Sequence, residues 1–505
     1  MDNQKKHSRI VKNSLFLYFR MILTLVVTLY TSRVVLNVLG VEDFGIYNVV
    51  GGVVTMMAFL SGAMSSATQR FLSFELGKGD RNQFANVFKM SVNIHILIIF
   101  IVVVITETLG LWLINTNLVI PAERIIAANV VFHCAIFSFC CTVISVPYNA
   151  AIIAYEKMSA FAYISIVDVF LKLVVVFLLV LHDGDRLQFY ALLMTAVSLL
   201  TFVCYYSYAH RQFRVTRFSL YWDKVLFKTL LSYTGWNLFG NLAAVATNQG
   251  INILLNLFFG SAVNAARAIA FQVNSAISGF VSSLQMSINP QIVKSYASGN
   301  YTYMHQLIMC GSKYTFFLLY TLALPIMLQT HTVLTLWLVN PPEHSVLFCQ
   351  LILIDALITS LSGSLMASVQ ATGNIKRYQA IIGSILLVNV PVSYFLLSNG
   401  CHAYTVFYVS ICTSIIALLF RFVLLRNLIE LDVAGFLTKV IGRISLVLAS
   451  TLLTLKYVEL NVGNIIINFI FMSSIIVIVT LACIYAFGLE KFEREFIKEH
   501  IRKIF

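Results

Sequence analysis

The chain has 505 residues, of which 59% are apolar and 11% charged, against roughly 45–50% and 25% in ordinary soluble domains. Charge this sparse cannot coat the surfaces of several water-facing domains, so soluble enzymes are excluded at the outset. The formal net charge of +13 raises nucleic acid as a partner, but the placement of the basic residues rules against it.

A bilayer core about 30 Å thick needs roughly 20 mostly apolar residues per helical crossing. In chain order, 14 such stretches are expected. They lie near 11–38, 44–68, 87–114, 124–150, 159–181, 187–209, 228–257, 261–290, 306–330, 346–371, 377–398, 403–425, 440–458 and 463–487, and are called spans 1 to 14 below. Runs of this length exclude a transmembrane barrel, whose strands are short and alternate. The fold class is therefore an all-α integral membrane protein.

With the N-terminus placed in the cytoplasm, 26 Lys and Arg fall in cytoplasmic connections, among them Lys5, Lys6, Arg9, Lys12, Lys78, Arg81, Lys157, Arg214, Arg217, Lys294, Lys376, Lys491, Lys498, Arg502 and Lys503. Only Arg124, Arg186 and Lys456 fall opposite. The positive-inside rule then sets both termini in the cytoplasm of a multi-pass inner-membrane protein, with no nucleic-acid role. The basic opening runs into a long span with no small-residue cleavage pattern, so no removable signal is expected. The nine Cys lie mostly inside apolar runs, without CxxC or metal spacing, so no metal or cofactor is expected.

A weak internal repeat appears at a spacing of about 220 residues. Leu36-Asn37-Val38-Leu39-Gly40 returns as Leu255-Asn256-Leu257-Phe258-Phe259-Gly260, and Lys78-Gly79-Asp80 faces Ser298-Gly299-Asn300. Six spans per repeat give both halves the same orientation, related by an axis along the membrane normal. The expected domains are a six-helix lobe at 1–213, a second at 214–427, and an appended helix pair with tail at 428–505. Residues 426–433 read as a short amphipathic segment joining that pair. A cleft between two lobes, opened alternately to either side, is the natural site.

Polar residues on one helical stripe mark a wet or packed face. In span 7, Asn237, Asn241, Asn248, Asn252 and Asn256 fall within about 100° of arc; in span 8, Arg267, Asn274, Ser278, Gln285 and Asn289 fall within about 60°. Such stripes must face protein or water rather than lipid. They admit two readings, interhelical amide packing or a watered cleft. Thr24, Thr28, Thr31, Asn48 and Thr55 form weaker counterparts in spans 1 and 2.

Charges within spans carry the sharpest information. Arg20 and Arg267 offer planar donor forks suited to phosphate or carboxylate oxygens; pairing with a protein carboxylate and snorkelling remain open for each. Asp168 and Lys172, four residues apart, can pair on one helix face, for neutralisation or for coupling to H+ or Na+. Asp355 lacks a local partner, and Lys313 of span 9 is the expected one. Pro147, Pro290, Pro325 and Pro391 are candidate kinks or helix ends.

The segment from Thr31 through Gly40, Glu42, Asp43 and Tyr47 to Val50 resembles the first outer turn of the polysaccharide transporters, the O-antigen and capsule flippases of the multidrug/oligosaccharidyl-lipid/polysaccharide exporter superfamily. The resemblance implies alternating access and transfer of an undecaprenyl-pyrophosphate-linked oligosaccharide for lipopolysaccharide O-antigen or capsule. A glycan polymerase is the implied partner, alongside membrane lipid. By helix and face, Arg20 and Arg267 would hold the pyrophosphate, with Asn241, Asn248, Asn252, Asn274 and Gln285 lining the path and Asp168, Lys172 and Asp355 serving ion coupling. A cation-coupled drug antiporter of the same superfamily is the alternative. An intramembrane glycan polymerase or ligase is a third reading, but it would need acid/base groups on a sizeable outer loop. The largest outer connection, 330–345, carries only His331, Glu343 and His344.

Overall fold

The computed structural model describes the backbone at residues 2–55, 58–116, 120–216, 219–338, 340–456, 465–490 and 493–495. Arg217, Lys491, Lys498, Arg502 and Lys503 lie outside the described residues, as do the side chains of Lys5, Lys6, Arg9, Lys12, Thr55 and Arg214. Among the described residues every regular element is a helix.

Among the described residues, twelve helices are long and apolar enough to cross a membrane. The expected fourteen crossings are not reproduced as separate helices. Spans 7 and 8 form one 74-residue helix, Lys224–Ala297. At 1.5 Å per residue a straight helix of that length would reach about 110 Å, far beyond a bilayer. It is bent at Gly260, where φ is 79° and ψ −172°. Span 1 likewise continues past Gly40, at φ 77° and ψ 171°, to Thr55. This conformation is open essentially to Gly alone, because any Cβ would clash. Span 2 continues in Ala58–Lys78, which does not qualify as a crossing by itself.

The two bends stand at matching positions of the repeat read from sequence. Gly79 and Gly299, both left-handed at φ 78° and 74°, close the following turns and match each other in the same way. The prolines behave differently: Pro147, Pro290, Pro325 and Pro391 all lie inside helices, and the breaks in helical backbone fall at the glycines instead.

Four helices begin with an Asp that accepts backbone N–H groups of their first turn: Asp80 from Gln83, Asp185 from Leu187 and Gln188, Asp223 from Val225 and Leu226, and Asp432 from Gly435. A carboxylate satisfies orphan donors there and complements the positive end of the helix dipole. Asp432 also explains a correction. Rather than an amphipathic segment over 426–433, the Thr405–Ile429 helix ends at Glu430 in left-handed conformation (φ 54°), and Asp432 starts the next helix.

Internal contacts divide the chain into two units, Met1–Asn241 with Val293–Asn300, and Leu242–Ile292 with Tyr301–Phe505. In the first, helix Ile125–Ala154 is the centrepiece, burying Val131, Phe132 and Ile136 with Ile46, Val50 and Leu187. In the second, helix Tyr301–Leu328 is the most enclosed and packs on Ser345–Thr372 and Ile465–Cys483. Large apolar side chains such as Phe100, Ile126, Phe170, Phe395, Leu419 and Ile478 point outward, as lipid-facing surface requires.

The helix expected to partner Asp355 is engaged elsewhere. Lys313 of Tyr301–Leu328 forms an ion pair with Glu493 at 2.7 Å, both side chains at most 3% exposed. Tyr314 donates its hydroxyl to Glu493 at 2.7 Å, and the Glu490 N–H donates at 2.6 Å. Burial would push the Glu493 carboxyl up, but Lys313 and these donors hold it below the usual carboxylate range. Lys313 therefore anchors the segment after the last helix rather than neutralising Asp355.

Candidate functional site

The bend at Gly260 folds the two arms of Lys224–Ala297 side by side. Asn252 lies eight residues before it and Arg267 seven after, each about 10–12 Å along its arm. The pairing follows directly: Arg267 Nη1 donates to Asn252 Oδ1 at 3.1 Å, and Nη2 donates to the Asn248 carbonyl at 2.9 Å and to its side-chain oxygen. The guanidinium also stacks 4.3 Å over Phe271, one turn along. Its Nε is buried without a hydrogen-bond partner. Arg267 is only 6% exposed, and its polar contacts are neutral amide oxygens. Amide oxygens orient a guanidinium without cancelling its charge, so a net positive charge is held in place.

Asn248, Arg267, Phe271, Asn274 and Ser278 line a cavity of about 250 Å³ within the C-terminal unit. Ser278 donates to Asn274 Oδ1 at 3.0 Å. Asp355 enters the same cavity from helix Ser345–Ser360, with Oδ1 buried and unpartnered; Ser414 is beside the carboxylate. The remaining wall was not anticipated from sequence. Asn389 donates to Ser410 at 3.0 Å and accepts from Ser393 at 3.0 Å, with Thr359, Ser410, Thr413 and Ser414 completing the lining. The i, i+3, i+4 spacing of Ser410, Thr413 and Ser414 was a readable stripe.

The N-terminal unit has its own cavity of about 290 Å³. Part of its lining corresponds to the C-terminal cavity at the 220-residue spacing: Tyr47 stands where Arg267 stands, Val54 for Asn274, Ala135 for Asp355 and Phe139 for Thr359. The charges are gone, and hydroxyls such as Ser138 and Thr195, bonded to each other at 3.2 Å, are the main polar lining.

Other sequence candidates lie apart from both cavities. Arg20 sits with its guanidinium 4.9 Å over Phe161 and its buried Nε unpartnered; among the described residues it makes no ion pair. Lys172 pairs with Asp168 at 2.8 Å, and Thr201 donates to the second Asp168 oxygen at 3.0 Å. Asn241 closes the first unit. Gln285 lies against Gly363, so tightly that its Nε2 occupies the space a Cβ there would need. Among the described residues no group of three His, Cys, Asp or Glu is placed to hold a metal ion.

No protein-family model matches the chain, and no curated protein matches it. Among solved structures it is similar to an outward-facing multidrug resistance MATE family transporter of the MOP superfamily, at 14% identity and TM-score 0.73 over 84% of this chain and 96% of that one. A MATE protein in the straight conformation gives 15% identity and TM-score 0.72 over 84% and 96%. A MOP superfamily transporter from Pyrococcus furiosus, described as having a binding pocket of reversed polarity, gives 14% identity and TM-score 0.71 over 84% and 96%. The chain thus has the two-lobed, all-helical fold of MATE and MOP-superfamily transporters, which is what the likeness at these identities establishes.

Proposed function

We propose that this protein is a transporter that works by alternating access and moves an anionic, lipid-linked glycan, with undecaprenyl-pyrophosphate-linked oligosaccharide as the substrate class. The observation that carries the reading is Arg267, which pairs with no carboxylate among the described residues and is oriented by Asn248 and Asn252 at a cavity of mixed apolar, amide and hydroxyl lining. Its free Nε and the nearby amides suit an incoming phosphate oxygen. A cavity of about 250 Å³ is below the roughly 300–1,000 Å³ of drug-sized sites, so it suits the charged head group while sugars and lipid tail lie outside. Arg20, paired with no described carboxylate, is a second candidate anion contact, within the N-terminal unit. The charge bias supports a cytoplasmic location for both termini.

One observation favours the antiporter reading. Asp355, whose Oδ1 is buried and unpartnered in the same cavity, would take up H+ or Na+ more readily than an anion. The two readings are compatible if Asp355 couples an ion to release of the head group. Export of a fluorescent lipid-linked oligosaccharide from proteoliposomes separates them. Arg267→Ala should abolish it and Asp355→Asn should slow it. Full export by folded Arg267→Ala protein would exclude the anion site, and formation of a new glycosidic bond would favour a polymerase or ligase.

A further inference from the structure

On the side that carries Lys78, Arg81 and Lys157, the N-terminal unit is knotted together by residues far apart in sequence. Lys294 donates to Glu156 at 2.5 Å, with the Glu156 side chain 6% exposed. Glu156 itself sits in the turn after Ile125–Ala154 with φ 59°, a strained conformation for a residue with a Cβ. Its carbonyl accepts from Asn13 at 3.3 Å. The Lys294 helix end also lies against the end of Ala58–Lys78. A Cβ on Gly77 would come 2.7 Å from both the Lys294 carbonyl oxygen and the Ala297 Cβ, so only glycine lets the backbones approach this closely. Gly77 and Ala297 are equivalent positions of the repeat, and the helix ends therefore meet through matching positions. Beside them Arg70 lies 4.5 Å from Phe71, 4.5 Å from Phe74 and 5.8 Å from Tyr233.

We propose that the Glu156–Lys294 ion pair and the Gly77–Ala297 contact form an inner latch, which holds the end of span 8 in the N-terminal unit and must part when the substrate path opens toward the positively charged side. Residues 293–300 belong by sequence to the second repeat and by contact to the first unit, and that crossing of membership is what a separable closure requires. The inference rests on the alternating-access reading. It adds that the ion pair is a conformational bias and not a fixed structural bond. A partly buried pair suits this role, because its desolvation cost and its attraction are large and opposed, so that small changes shift the balance.

The test reads opening and transport separately. Ser295 is 8% exposed inside the latch, so Ser295→Cys reports opening through its rate of maleimide labelling, followed by mass spectrometry of that peptide in purified, reconstituted protein. Labelling should be slow in the parent and about tenfold faster in Glu156→Gln and in Gly77→Ala. It should return to the parent rate in the charge-swapped Glu156→Lys/Lys294→Glu protein. Equal rates in all four proteins, each eluting as a folded monodisperse species, would overturn the latch. If rates follow the prediction while no lipid-linked substrate moves, the latch stands and the transport reading falls. If export proceeds with unchanged labelling, the reverse holds.

Discussion

The two cavities share several lining positions at the 220-residue spacing read from the sequence and differ in their chemistry. The C-terminal one holds Arg267 and Asp355 among amides and hydroxyls, whereas the N-terminal one puts Tyr47 and Ala135 at those positions. Between the two linings, only the C-terminal one carries charged side chains. A charge inside a membrane protein costs several kcal/mol unless it is solvated or paired, so a copy relieved of charge is expected to have no charged ligand. The proposed function therefore assigns head group and ion to the C-terminal cavity, and the contrast with the N-terminal one is what tests that assignment.

Substitutions can break or sharpen this contrast. The largest effect is expected at Arg267: removing a charge-assisted bond worth about 1.5–3 kcal/mol should lower export about ten- to a hundredfold in Arg267→Ala, with Arg267→Lys restoring part of it, as initial rates in proteoliposomes would show. Asp355→Asn should slow export about tenfold and weaken its dependence on an imposed ion gradient; an unchanged gradient dependence would separate Asp355 from coupling. Arg20→Ala, outside both cavities, should cost less than Arg267→Ala. At the far end of the scale, Thr195→Val in the N-terminal cavity should change export by less than about twofold, since a hydroxyl bonded mainly to backbone carbonyls is worth about 1 kcal/mol or less. A Thr195→Val effect as large as that of Arg267→Ala would erase the contrast.

A further prediction concerns stability rather than transport. Breaking a buried pair by removing one partner costs about 3–5 kcal/mol, so Glu493→Gln should lower the thermal midpoint of the purified protein. Because the folded Glu493 carboxyl titrates below its ordinary value of 4.5, its stabilisation is present above about pH 4.5 and disappears as pH falls through the folded value. The midpoint difference between parent and Glu493→Gln should shrink on acidification below that point.

Much of this was legible in the sequence. Apolar runs gave the helices, and the internal repeat gave Gly40 and Gly260, whose shared backbone conformation is its structural mark. The stripe reading brought out Asn248, Arg267 and Asn274, which the fold gathers with Asp355 into one cavity. Other features required the third dimension. A polar stripe reports a face without naming what meets it: Gln285 packs on Gly363, and Asn389 joins the hydroxyls of Ser393 and Ser410 only in the fold. Glu493 bears no mark of burial in the sequence, because burial of a carboxylate after the last helix depends on a lysine 180 residues away. The prolines suggest kinks in the sequence, but neighbouring helices tolerate them inside these spans, and the sharp bends go to the glycines that can adopt the backbone conformation required.

The most direct test is equilibrium binding of undecaprenyl pyrophosphate to the purified protein in nanodiscs, comparing the parent with Arg267→Ala. An Arg267-centred anion site predicts at least about tenfold weaker binding in the variant with unchanged binding of undecaprenol, which has the tail but no phosphate. Equal affinity of parent and variant for the pyrophosphate would contradict it.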